Sequence, residues 1–193
     1  MRVLMVSPMP PFLPTHDGFR LLPSHLLAQL AARCTLGLVA ATSPAETPEQ
    51  HRWARRYCAD VSSVPGERSA HPLTGGPRLR LPLIREAVAL AIERFCPDVL
   101  RLEGAVLAPL TRMGGIPTVL SVQDSLALRA QEMRQLARTP WAWLAARREA
   151  RREAAWEQQW FAAADACVVL SEEDRAGLID PDRMRLTMHG LAA

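Results

Sequence analysis

Short apolar runs alternate along this chain with longer stretches in which apolar residues return every third or fourth position. The first run, Arg2-Val3-Leu4-Met5-Val6-Ser7, is apolar at consecutive rather than alternate positions. That is the pattern of a strand covered on both faces, as in a parallel sheet. The next segment holds prolines at 8, 10, 11 and 14. They forbid helix and regular strand, so it predicts a stiff, extended loop running to Asp17-Gly18. From residue 19 to 33 the period becomes helical, with Leu22, Leu26, Leu27 and Leu30 on one face. The loop therefore joins the carboxyl end of a strand to the N-terminus of a helix, where ligands sit in open α/β sheets. A helix N-terminus offers free N–H groups and the positive end of a dipole, suited to phosphate. Gly18 lets backbone approach a ligand closely, and Arg20 in the first turn adds a fork of donors. The plainer reading is a turn capped by Asp17, with Arg20 in solvent.

The alternation continues. Residues 35–41 predict a second buried strand, 48–57 a short helix with Trp53 inward, and 60–64 a weak third strand. Residues 65–80 place Gly75-Gly76-Pro77 among Arg68, Arg78 and Arg80. They read as a solvated connection or as a loop over an anion site. An amphipathic helix at 83–95 stops at Cys96-Pro97, and a fourth strand at 98–102 runs into Glu103-Gly104. Residues 106–113 predict a helix ended by Gly114-Gly115. A fifth strand at 117–122 leaves through Gln123-Asp124-Ser125. Helices follow at 126–136 and 141–163, broken at Thr139-Pro140, then a sixth strand at 165–170. Ser171 reads as the N-cap of another helix, and 181–188 as a short final strand. Strands alternating with helices predict an α/β fold, a doubly wound parallel sheet with right-handed crossovers. Asp17, Glu103, Asp124 and Ser171 all fall at strand exits, so one rim can gather them.

Composition narrows the function classes. With 193 residues, 49% of them hydrophobic and 22% charged, the chain is ordinary globular protein with length for a real core. The net charge is only +3 and every basic residue is Arg, which reads as coding bias and gives no nucleic-acid signal. Cys34, Cys58, Cys96 and Cys167 form no CxxC pair, which disfavours zinc and thioredoxin-like chemistry and suits a reducing, cytoplasmic compartment. The five histidines show no paired ligand spacing, so no metal is expected. Neither a signal peptide nor a membrane span is legible.

An ordered set of motifs then carries a resemblance. The opening strand, the Pro-rich loop, Gly18-Phe19-Arg20 at a helix start and Leu26-Leu27-Ala28-Gln29-Leu30-Ala31 resemble the N-terminal domain of GT-B glycosyltransferases, of the retaining, family-4 type. Cys96-Pro97-Asp98-Val99-Leu100 resembles that family's Pro-Asp-Val strand. Residues 117–125 with Leu128-Arg129 resemble the Asp-Ser strand exit of exopolysaccharide-type sugar transferases. Trp156-Glu157 through Ser171-Glu172, and Arg185 to Gly190, resemble their later segments. Many relatives carry His before the Asp at the end of the fifth strand; here that position is Gln123.

The resemblance implies a Rossmann-like acceptor-side domain over residues 1–188, with 189–193 starting a crossover to a second domain. That second domain would bind the nucleotide-sugar donor through a Glu-x7-Glu segment which this sequence lacks. No cofactor and no metal are implied. The implied partners are a C-terminal donor-binding domain or separate subunit and a glycan or lipid-linked acceptor. By the same implication Asp124 is the catalytic candidate, positioning the acceptor hydroxyl or the donor sugar and not acting as nucleophile. Asp17, Gly18, Arg20, Glu103, Ser125, Ser171 and Glu172 are the substrate-binding candidates. Each has a structural alternative: Asp124 as an Asx turn or cap, Glu103 as a solvated charge at a helix start. For the whole chain the alternative is a catalytically inactive binding domain or a relic of such an enzyme.

The helix at 141–163 mixes Arg147, Arg148, Arg151 and Arg152 with four tryptophans. A basic helix with Trp can lie on anionic lipid, giving peripheral contact at the inner face of a membrane. Interspersed Glu149, Glu153 and Glu157 favour a plain solvated face instead.

Overall fold

Strand β1, Arg2–Ser7, is buried at every position after the first, as its unbroken apolar run requires. It lies inside a seven-stranded sheet of order β3-β2-β1-β4-β5-β6-β7. The other strands are β2 at Thr35–Thr42, β3 at Asp60–Pro65, β4 at Val99–Glu103, β5 at Thr118–Val122, β6 at Ala166–Val169 and β7 at Met184–Leu186. Every pairing is parallel, with Val6 opposite both Val39 and Leu102, and Glu103 opposite Ser121. The computed structural model describes residues 1–43, 46–66, 79–122, 125–170 and 184–186.

Parallel strands need both faces covered. On one face Leu4, Val6, Leu100, Leu102, Leu120 and Val122 meet helix α3, Leu81–Phe95, through Ile84, Val88, Ala91 and Phe95, the four- and three-residue spacing read from sequence. On the other face Val3, Met5, Leu36 and Leu38 pack with Leu27 of α1, Gly18–Ala31, and Trp53 of α2, Pro48–Trp53. After β5 come α4, Leu126–Gln135, and α5, Pro140–Phe161. Phe161 joins the α3 face.

Two aspartates tie neighbouring strands together where they begin. Asp98 accepts from Arg2 N at 2.7 Å, and Asp165 accepts from Thr118 N at 2.9 Å. That second bond, with Arg112 nearby, holds the Asp165 carboxyl below its ordinary range.

One expected element differs. Residues 106–113 were expected as a helix, but Ala105–Leu110 forms a 3-10 turn. Pro109 inside it lacks the N–H an α-helix would use. Of the expected last strand at 181–188, the described Met184–Leu186 is strand.

Gly37 of β2 is pinched. A Cβ there would stand 3.0 Å from Leu4 Cδ1 and 3.1 Å from the Phe95 ring. Gly37→Val should therefore lower stability by about 1–3 kcal/mol through overpacking. Gly18→Ala, with nothing within 4 Å of the added atom, should move it by no more than about 0.5 kcal/mol. Urea denaturation of both variants checks this; an unchanged midpoint for Gly37→Val would show that the α3 face of the core is slack at this point.

Candidate functional site

The winding of the sheet fixes where a ligand crevice opens. The chain steps outward from β1 to β2 and β3, then returns beside β1 with β4 and continues the other way. Crossovers leaving β1 and β4 therefore diverge, and the crevice at their carboxyl ends is the switch point of a doubly wound sheet. Glu103, the last residue of β4, stands there and is fully buried. Gly104 turns the chain away with φ 99°, a conformation that side chains other than glycine's rarely tolerate, and its N–H reaches Ser121 O at 2.7 Å.

Glu103 is only half satisfied. Its Oε1 accepts from Arg101 Nε at 2.5 Å, on the same face of β4. Among the described residues its Oε2 has no hydrogen-bond partner, and neither do Arg101 Nη2 and Ser121 Oγ. Ser121 is the register partner of Glu103 on β5. So one acceptor and two donor-capable atoms gather unmatched at the switch point. Buried polar atoms are nearly always matched, and each unmatched one costs about 1–3 kcal/mol.

The Pro-rich loop is built tightly on the same rim. Ser7 Oγ donates to Met9 O at 2.6 Å where β1 ends. Asp17 caps α1 by accepting from Phe19 N at 3.0 Å. Arg20 is not in solvent. Its guanidinium lies 4.9 Å over the Phe12 ring and pairs with Glu46 at 2.7 Å and Asp17 at 3.3 Å. Glu46 in turn accepts from Ser43 N at 3.0 Å, so Arg20 joins the loop after β1 to the loop after β2. Between these loops lies a cavity of about 270 Å³, lined by Phe12, Leu13, Pro14 and Trp53 on its apolar side and by Glu49, Gln50 and Arg56 among its polar groups.

A second buried carboxylate meets the N-terminus of α4. Ser125 is its N-cap, accepting from Leu128 N at 3.1 Å. Glu157 of α5 accepts from Ser125 Oγ at 2.9 Å, Leu126 N at 2.6 Å and Ala127 N at 3.3 Å. Glu157 is 3% exposed, which corrects its reading as part of a solvated helix face. The helix start and its carboxylate come from elements 32 residues apart, and no local pattern announces that pairing. Burial pushes the Glu157 carboxyl above its ordinary value, against the pull of the Ser125, Ala127 and Leu126 bonds.

Of the sequence-derived candidates, Asp17, Gly18 and Arg20 stand together at the α1 N-terminus, Glu103 at the switch point and Ser125 at the α4 N-terminus. All five follow carboxyl ends of parallel strands. Asp124, Ser171 and Glu172, together with Gln123, the arginines at 68 and 78, and residues 189–193, lie outside the described residues. Sequence reading missed Arg101, Ser121, Glu46 and Glu157. Arg101 and Glu103 two apart on one strand was the signal available for the first: two charges on one face of a buried strand must pair. Among the described residues no group of His, Cys, Asp and Glu gathers that could hold a metal ion.

The raised Glu157 carboxyl has a stability consequence. Its folded value exceeds its ordinary 4.5, so the protonated form favours the fold. This contribution is complete below the unfolded value and is lost as pH rises through the folded one. In Glu157→Gln that decline should vanish while the fold persists. Denaturation midpoints followed from acid to neutral pH check it; identical pH slopes for both proteins would mean that the carboxyl titrates as freely as in the unfolded chain.

No protein-family model matches the chain, and no curated protein matches it. Solved structures do. MurG of Acinetobacter baumannii matches with a TM-score of 0.52 at 11% identity, over 96% of this chain and 45% of its own. The glycosyltransferase of kitacinnamycin matches at 19% identity, over 95% of this chain and 50% of its own, with a TM-score of 0.45. SsfS6, a glycosyltransferase of Streptomyces sp. SF2575, matches at 14%, over 91% and 51%, with a TM-score of 0.36. The last two are too distant in shape to carry an argument. The chain thus spans about half the length of these structures. At 11% identity the likeness to MurG is one of fold: a single Rossmann-like α/β domain of the kind that forms one half of a GT-B structure.

Proposed function

We propose that this chain is the acceptor-side half of a glycosyltransferase, transferring a sugar from a nucleotide-sugar donor, with retention, to a glycan or lipid-linked acceptor. The observation that carries the reading is the unmatched group at the switch point. Glu103 Oε2 accepts, and Arg101 Nη2 and Ser121 Oγ donate. A sugar hydroxyl both donates and accepts, so one acceptor hydroxyl answers this set. Glu103 is closed to solvent, so on this reading the hydroxyl enters by displacing what covers it. The cavity beside the Pro-rich loop, with aromatic walls and planar polar side chains, has the chemistry and the scale for a further sugar ring.

The donor half of the site belongs, on this reading, to a C-terminal domain or a separate subunit. Gly18, with open space around it, is where the α1 N-terminus faces the donor diphosphate. Asp124 would position the reacting hydroxyl and makes no covalent bond to the sugar. Ser171 and Glu172 would complete the rim. No metal and no organic cofactor enters this scheme.

Holding donor and acceptor together is worth about 7–11 kcal/mol when alignment is good. A half-site gives up most of that, and each solvent-exposed hydrogen bond contributes only about 0.5–1.5 kcal/mol net. The chain alone should therefore show no submillimolar donor binding and no turnover. Calorimetric titration with several nucleotide sugars, beside a sensitive transfer and hydrolysis assay, checks this. Submillimolar donor binding or turnover above background would show that the donor site is already complete here. On the acceptor side, simple glycosides should give saturation-transfer signals with the chain that are lost in Glu103→Ala. Equal signals from a folded Glu103→Ala protein would remove Glu103 from the site.

A further inference from the structure

The corner where α4 turns into α5 presents apolar side chains to solvent. Met133 is 52% exposed, Leu136 72%, Trp141 80% and Trp143 42%. These are four of the largest exposed hydrophobics on the described surface, and they fall within eleven consecutive residues. Nothing about the local fold is loose. Thr139 caps α5 by accepting from Ala142 N at 3.1 Å, and Pro140 occupies the first turn. The tryptophans are therefore held outward by a properly started helix.

The charge around them is one-sided. Residues 132–149 contain four arginines, Arg134, Arg138, Arg147 and Arg148, against two acids, Glu132 beside Met133 and Glu149, which pairs with Arg152. Arg147 lies 5.3 Å over the Trp143 ring. The acids further along α5 are engaged elsewhere: Glu149 and Glu153 pair with Arg152, and Glu157 serves the start of α4. The corner thus carries aromatic side chains and a net positive charge, four arginines against Glu132 and the paired Glu149.

We propose that this corner docks the protein on an anionic lipid surface. Trp side chains settle at the depth of lipid headgroups, with the apolar ring inward and the N–H toward water. Arginines beside them meet the negative charge of the leaflet. Contact is peripheral: among the described residues no helix is long and apolar enough to cross a membrane. A protein partner of ordinary mixed charge would leave four clustered arginines unanswered. The inference stands on these side chains and does not depend on sugar transfer.

The test is co-sedimentation of the full chain with phosphatidylcholine vesicles, with and without phosphatidylglycerol, alongside Trp emission. Binding to the anionic vesicles is expected, with a blue shift, at least about tenfold stronger than to neutral ones, and weakened by salt. Trp141→Ala with Trp143→Ala should lose the binding while circular dichroism stays unchanged, because both side chains are exposed. Arg147→Gln with Arg148→Gln should lose the preference for anionic lipid by about tenfold or more. No binding, equal binding to neutral vesicles, or undiminished binding by the folded Trp variant would overturn the proposal. So would a concentration-dependent dimer abolished by the Trp variant in the absence of vesicle binding, which would assign the corner to a second copy.

Discussion

Seven parallel strands can be buried on both faces only if the crossovers are shared between the two sides of the sheet, and here that sharing reverses between β1 and β4. Everything proposed about the site follows from that reversal. It opens one crevice at the carboxyl ends of the two strands. It places the Pro-rich loop, the α1 N-terminus and Glu103 on a common rim. It also explains why the rim can carry polar groups at all: the strands end there, and their side chains leave the two apolar clusters that cover the sheet.

Buried carboxylates act in two ways in this molecule, and their hydrogen bonds separate them. Glu46 holds Arg20 with one oxygen and Ser43 N with the other. Glu157 fills both oxygens at the start of α4. Each of these joins one loop or helix to another, and removing one partner of a buried pair strands the other in a poorly solvating interior. Glu103 differs, because its second oxygen faces no partner among the described residues. A fastener has no reason to leave capacity unused, whereas a ligand site does. Two of the thiols are excluded from such a role: burial pushes Cys58 up to about 12 and Cys167 up to about 11, so neither supplies a thiolate near neutral pH.

The α4–α5 pair shows a parallel division along one helix. Toward its C-terminal end, α5 turns Ala150, Glu153, Glu157 and Phe161 inward. Toward its beginning it turns Trp141 and Trp143 outward. The same helix therefore belongs to the core at one end and to the surroundings of the protein at the other, which is how an element can serve the fold and still offer a docking face.

The sequence by itself determined the α/β class, the parallel sheet and the placement of nearly every element. Unbroken apolar runs in β1 and β2 and the helical spacing of Ile84, Val88, Ala91 and Phe95 are local signals, set by which faces must leave water. It also determined that Asp17, Gly18, Glu103 and Ser125 follow strand ends. It did not announce that residues 105–110 tighten into a 3-10 turn, because Pro109 weakens an α-helix there without fixing which turn replaces it. Only the tertiary structure decided that Arg20 is committed to Glu46, that Glu157 is buried against α4, and that Glu103 keeps a free oxygen beside Ser121. Each of these is a relation between residues brought together by a crossover. A charge in sequence carries no mark of the partner it will meet, and in a low-dielectric interior the partner is what decides its role.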